Sequence, residues 1–258
     1  MNYDRSCNLA CPTCRGSVIT LKGEAKIDAL AIQDWATQPE HLKYGAYLHF
    51  TGSGDAFASN IFQGFLRRFD PKASPHVRIG LGTNGLLFTE KSWDRICNEV
   101  VDVAFISIDA ATAATYAENR GGDFDLLQAN LDFIGALRAT GRLKLFGMNF
   151  VVQQNNYAEM PAFVELGRRV GADFVFFQQI VNWGTFSRAE FKDRAIHLPD
   201  HPRHEDFLRV LEDPRLGDPI VNLNNLTALF EDEAARATGL ASFDENFEAR
   251  PAAAVRNP

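Results

Sequence analysis

Residues 7–14 read Cys7-Asn8-Leu9-Ala10-Cys11-Pro12-Thr13-Cys14, three thiols at Cys-x3-Cys-x2-Cys spacing inside eight residues. Three cysteines on one short loop indicate a shared ligand. Thiolates are soft donors that select zinc, copper(I) or iron–sulfur clusters. A closed structural zinc site takes four protein ligands, and a closed 4Fe–4S cluster takes four cysteines. This loop supplies three. The other cysteine, Cys97, stands far along the chain in the apolar stripe of an expected helix and reads as a core residue. One metal position is therefore left open, and an open position is where a substrate or cofactor binds.

Working outward, the chain has 258 residues, enough for one large α/β domain, or one domain plus an appendage. Hydrophobic residues make up 46%, an ordinary share for a globular protein. The balance of 26 Lys+Arg against 33 Asp+Glu gives a net charge of −7. An acidic chain without a basic block is poorly suited to nucleic acid. No apolar run approaches the ~20 residues that span a bilayer, and the polar start Asn2-Tyr3-Asp4-Arg5-Ser6 has no signal-peptide core. Cysteines gathered on one loop argue against a disulfide framework and predict a reducing, cytoplasmic setting.

The rest of the chain alternates strand and helix. Residues 1–6 have room for a short strand only. Strands are expected at 46–51, 77–83, 103–108, 145–152 and 172–177, from alternating or continuous apolar runs. Helices are expected at 28–35 with Asp28 as cap, around 61–69, after Thr89, at 124–138, and at 157–170 with Gly171 as C-cap. Units of roughly thirty residues, repeated about six times, give right-handed crossovers and a parallel sheet, curled or open. Its chemistry belongs at the C-terminal ends of the strands. The cysteine loop, Gly52–Asp55, Asn84 and Ser107–Asp109 all fall at such ends. After about Asn182 the alternation stops. Residues 183–235 read as a helical and loopy extension broken by prolines, and 236–258 as a disordered tail.

Several of these strand ends carry ligand-type residues. Gly52-Ser53-Gly54-Asp55 would let a backbone approach a charged head group closely. Ser107 ends a hydrophobic strand, where an unpaired hydroxyl costs ~1–3 kcal/mol. Arg120 follows, able to grip a carboxylate with two parallel bonds. Asn84-Gly85 is also a common turn, and Asp109 could equally cap a helix. Asn149 and Gln178 could point inward. His197, His201 and His204 lie within eight residues but lack a companion carboxylate pattern, and read as loop histidines.

The cysteine spacing, written Cys-Asn-Leu-x-Cys at its start, resembles that of the radical S-adenosylmethionine (SAM) superfamily, and the likeness covers about residues 3–182. The resemblance implies an α/β fold, a partial (β/α)6 barrel with a short helical C-terminal extension. It implies that Cys7, Cys11 and Cys14 hold a 4Fe–4S cluster whose fourth iron is chelated by SAM. Gly52, Ser53, Gly54 and Asp55 resemble the Gly-Gly-Glu motif that binds the SAM amino group, with Ser53 and Asp55 departing from it. Thr83-Asn84-Gly85 resembles a Thr-Asn-Gly after the third strand. Ser107 and Arg120 match a SAM-contacting serine and a carboxylate-binding arginine of SPASM-associated relatives. Thr13 stands where an aromatic residue often lies near the adenine, and the auxiliary-cluster cysteines of those relatives have no counterpart after Cys97. The implied chemistry is reductive cleavage of SAM to a 5′-deoxyadenosyl radical, with flavodoxin or ferredoxin as electron donor and a peptide or small molecule as substrate. Two other readings stay open: a degenerate, non-catalytic fold that binds a partner, and a zinc-stabilised protein completed by His41 or His49.

Overall fold

The computed structural model describes residues 1–43, 46–96 and 100–229. Its frame is six strands: β1 (Ala46–Phe50), β2 (Val77–Thr83), β3 (Val101–Ser107), β4 (Leu145–Val152), β5 (Phe174–Gln179) and β6 (Val221–Asn222). All neighbours pair in parallel, in sequence order β1 to β6, so the sheet is open at both edges. The helices are α1 (Gly23–Ala36), α2 (Pro39–Leu42), α3 (Asn60–Arg68), α4 (Glu90–Ile96), α5 (Ala113–Arg120), α6 (Phe124–Ala139), α7 (Met160–Val170), α8 (Arg188–Arg194) and α9 (His204–Leu211). This is the α/β architecture expected of a partial barrel. Among the described residues no helix is long and apolar enough to cross a membrane.

The strands alternate between two environments. Leu48, Phe50, Ile79, Leu81, Ile106, Phe146, Met148, Phe150 and Phe177 are buried. They form one core with the apolar stripes of α3, α4, α6 and α7, including Phe62, Trp93, Leu131 and Phe163. Each such side chain contributes ~1.5–3 kcal/mol on burial. The opposite, inner face is half-open and bears His49, Phe105, Ser107, Asn149, Phe176 and Gln178.

One register row of that face alternates glycine and phenylalanine. Gly82 pairs with Phe105, Phe105 with Gly147, and Gly147 with Phe174. A Cβ on Gly147 would stand 2.5 Å from the Phe174 ring and 3.0 Å from that of Phe105. The two rings lie 5.6 Å apart. Glycine is required there because the rings occupy the space over its Cα. One step further along the strands, Ser107 pairs with Asn149.

The structure departs from the sequence reading in three places. Helix α1 begins at Gly23, with Lys22 at its N-cap, so Asp28 lies inside the helix and caps nothing. It buries Ala29 and Gln33 and leaves Trp35 65% exposed. Helix α5 was not expected; Thr112 caps its start, and Gly121, at φ 70°, ends it in the left-handed conformation. The sixth strand is β6, within the segment read as helical and loopy, and not residues 1–6. Those first residues do lie along β1: the Met1 amino group donates to the His49 carbonyl at 2.6 Å, and Thr51 N–H donates to the Met1 carbonyl at 3.2 Å. Two backbone contacts are too few to make a strand. The readings of Cys97 and of residues 236–258 lie outside the described residues.

Candidate functional site

The cysteine loop is tied off at its base. Cys7 and Ile19 exchange backbone hydrogen bonds as an antiparallel bridge, and Cys14 and Arg15 N–H both donate to the Cys11 carbonyl. Cys7 and Cys11 are buried and Cys14 is partly exposed. All three line one cavity of about 250 Å³, together with Arg15, His49, Gly52, Ser53, Gly54, Asn84, Phe105, Ser107, Arg120 and Asn149. Burial pushes the Cys7 thiol up, against the opposing pull of a Leu9 backbone hydrogen bond and the Arg15 charge.

The turn after β1 meets the chain that leads into this loop. Asp55 N–H donates to the Ser6 carbonyl at 2.8 Å. A Cβ on Gly54 would lie 2.5 Å from the Asp4 carbonyl oxygen and 3.0 Å from that of Ser6. Gly54 is thus a crossing point of two backbones as well as part of the cavity wall. Ser53 donates through its N–H and hydroxyl to the Asn2 side chain, at 2.9 and 3.0 Å. Thr51, just before the turn, has φ 93°, a costly conformation for a β-branched residue.

Asp55 does not join this wall. Its carboxylate is fully buried and accepts from Phe57 N–H, Ala58 N–H, the Thr83 hydroxyl and Asn84 N–H, at 2.7–3.2 Å. Burial pushes its carboxyl up and these four donors pull it back. Both oxygens are committed, so the turn's acidic residue braces the end of β2 instead of facing a ligand. Asn84, which Asp55 holds, donates its side-chain amide to the Asn8 side chain at 2.9 Å and steadies the cysteine loop.

At the end of β3, Ser107 lines the cavity, whereas Asp109, two residues on, is not part of its wall. Asp109 has φ 60° and a fully buried carboxylate. It accepts from Val151 N–H at 2.7 Å and pairs with Arg120 Nη2 at 2.6 Å. It is the anchor of Arg120, and Thr112 is the helix cap. Burial would lower the Arg120 pKa, but the Asp109 carboxylate and Cys11 outweigh it and hold the guanidinium charged. Arg120 Nη1 faces Cys11 Sγ at 3.8 Å, and its buried Nε has no hydrogen-bond partner. The guanidinium retains donor capacity at the cavity, which suits a carboxylate-bearing ligand.

Sequence reasoning missed Arg15, and it considered His49 only as a zinc ligand. Arg15 is signalled by its place directly after the third cysteine, His49 by the period-two run Tyr47, His49, Thr51. Burial pushes His49 down, toward the neutral imidazole. His41 is exposed and bonded to the Trp35 carbonyl.

Among the described residues, no three His, Cys, Asp or Glu side chains are arranged to hold one metal ion. In a cluster each thiolate binds a different iron, so three thiols around one cavity fit it without converging. The donor set and the spare guanidinium donors together fit a cluster with a carboxylate-bearing ligand beside it.

The fold is that of radical SAM enzymes. The structure of Streptococcus suis SuiB bound to precursor peptide SuiA is similar over 70% of this chain and 38% of that one, at TM-score 0.51 and 13% identity. TYW1 with a lysine-pyruvate adduct bound is similar over 83% of this chain and 70% of that one, at TM-score 0.53 and 15% identity. Native anSMEcpe with bound AdoMet and Kp18Cys peptide is similar over 80% and 59%, at TM-score 0.51 and 16% identity. The chain thus spans less than half the length of SuiB. No protein-family model and no curated protein matches the sequence.

Proposed function

We propose that this chain is a radical SAM enzyme that modifies a peptide. The observation that carries the reading is convergence: three thiols, the Gly52–Gly54 turn, Ser107 and Arg120 share one cavity at the C-terminal ends of β1–β3. Cys7, Cys11 and Cys14 hold a 4Fe–4S cluster. The backbone of Gly52, Ser53 and Gly54 takes the SAM ammonium, Arg120 its carboxylate, and Ser107 and Asn84 flank it. When bound, the cluster supplies the electron that cleaves SAM to methionine and a 5′-deoxyadenosyl radical, which takes a hydrogen atom from the substrate. The protein's own part is to hold these groups and exclude water. A flavodoxin or ferredoxin provides the electron. A peptide substrate is supported by SuiB and anSMEcpe, whose structures carry peptides.

The burial of Asp55 favours a second reading, a degenerate fold that binds a partner without cleaving SAM, because the turn's carboxylate does not reach the cavity. Anaerobic reconstitution with iron and sulfide, followed by SAM and dithionite, separates the two. Formation of 5′-deoxyadenosine is the result expected. A bound cluster with no SAM cleavage would favour the second reading, and zinc with no cluster would overturn both.

A further inference from the structure

Arg15 is buried to 7% exposure. Its guanidinium reaches three segments at once. Nη1 donates to the Arg5 carbonyl at 2.8 Å, and Nη2 donates to Cys14 Sγ at 3.2 Å and to the Ser53 carbonyl. No carboxylate among the described residues forms an ion pair with it, in contrast to Arg120, which Asp109 neutralises. A buried cation held only by two carbonyls and a sulfur is costly unless an anion accompanies it. The Cys14 sulfur, 3.2 Å away, is the group placed to carry that charge as a cluster ligand.

We propose that Arg15 is a positioning residue of the iron–sulfur site: it neutralises negative charge on the Cys14 side of the cluster and clamps the cysteine loop to the Ser53 turn. The inference rests on the cluster reading above and adds what that reading lacks, a source of positive charge for the sulfur-rich corner. Two consequences follow from the geometry. A hydrogen bond and a charge at the ligand sulfur stabilise the more negative, reduced cluster, so they make reduction easier. The same Nη2 also holds the Ser53 carbonyl while Nη1 holds that of Arg5, which fixes the turn proposed to receive the SAM ammonium against the chain leading into the cysteine loop. Potential and SAM affinity are therefore coupled through one side chain.

The test uses the full chain, reconstituted anaerobically, as wild type, Arg15→Gln and Arg15→Lys. Iron content is measured first. Dithionite is then titrated in under electron paramagnetic resonance, with one electron entering the cluster and no bond made or broken. At the poise that half-reduces the wild type, the reduced-to-oxidised ratio of Arg15→Gln should fall about tenfold, the size of a charge-assisted hydrogen bond. Arg15→Lys keeps the charge and should recover most of that ratio. Lysine has one nitrogen in place of the fork that ties the Arg5 carbonyl to the Ser53 turn, so its SAM affinity, read by anaerobic calorimetry, should stay several-fold weaker than wild type. If Arg15→Gln titrates within twofold of wild type, the charge role is overturned while the cluster reading stands. If Arg15→Lys binds SAM as wild type does, the clamp is overturned. If Arg15→Gln fails to fold, Arg15→Lys carries the test: near-wild-type reduction with weakened SAM binding supports the proposal, and a tenfold change in reduction overturns it. If the wild type takes up no cluster, both the reading and this inference fall.

Discussion

Two trios of ligand-type side chains occupy eight-residue windows in this chain, Cys7/Cys11/Cys14 and His197/His201/His204, and the structure puts them to opposite uses. The cysteines line a cavity with two arginines and a glycine turn. The histidines are buried, and two of them are spent on the backbone. His201 Nε2 donates to the Asp193 carbonyl at 3.0 Å while its Nδ1 accepts from Arg203 N–H at 3.1 Å. His204 Nδ1 donates to the Ile196 carbonyl at 3.0 Å. His197 Nδ1 is buried without a partner. Three ligand-type residues in eight invite a metal reading in both windows, and the sequence sets the histidines aside only for want of a companion carboxylate pattern. What separates them is whether the donor atoms face open volume or are consumed in holding the chain.

The sharpest way to break this contrast is to exchange the roles. Cys11→Ser should abolish iron uptake, measured as iron and sulfide per chain after reconstitution, whereas His201→Asn should leave uptake unchanged. Equal losses from both would end the distinction. Next in size is Arg120→Gln, which removes the cavity's Asp109-anchored cation. It should weaken SAM binding roughly 10- to 100-fold in anaerobic calorimetry, the scale of a charge-assisted contact. Asp55→Asn should act on stability instead, because an amide would turn two donors toward the donors that Asp55 now satisfies. We expect a loss of about 1–3 kcal/mol in urea unfolding, with iron uptake unchanged. An effect confined to SAM binding would return Asp55 to the ligand wall.

The smallest effect belongs to the histidines. Burial, followed by the neighbouring His204 and His201, pushes His197 down from 6.5 to about 4. The folded state therefore prefers the neutral ring. That contribution is complete above about pH 6.5 and is lost as pH falls toward 4, because the unfolded chain takes up the proton first. Stability should drop by about 1 kcal/mol between pH 6.5 and 5.5. The drop should be reduced in His197→Gln if that variant folds, and a wild type indifferent to this pH range would show the ring to be solvated.

Much of the frame was legible because the core is periodic. Strands β2 and β4 fall where their apolar runs place them, and α6 and α7 where their stripes and caps do. Element α5 escaped because its one buried aromatic, Tyr116, offers no stripe; only Thr112 and Gly121 announce it. Strand β6 is two residues long and stands on the ladder of β5, so no local pattern could mark it. At the site, strand ends and motif spacing singled out the thiols, Ser107 and Arg120, and all of them line one cavity. The motif could not tell which way Asp55 points, because it records residue type and not direction. Its side chain turns toward four donors that belong to β2 and to the start of its own helix connection. Arg15 was overlooked because its partners are carbonyls and a sulfur, which leave no complementary charge in the sequence to look for.

At Gly54, the lead-in to the thiol loop passes so close that not even a methyl group fits between them. The two motifs are therefore mechanically one piece, although they lie far apart in the sequence. Anyone transplanting the loop onto another barrel must carry the bare α-carbon along with it, because the atoms it meets are backbone and no substitution in the lead-in would make room.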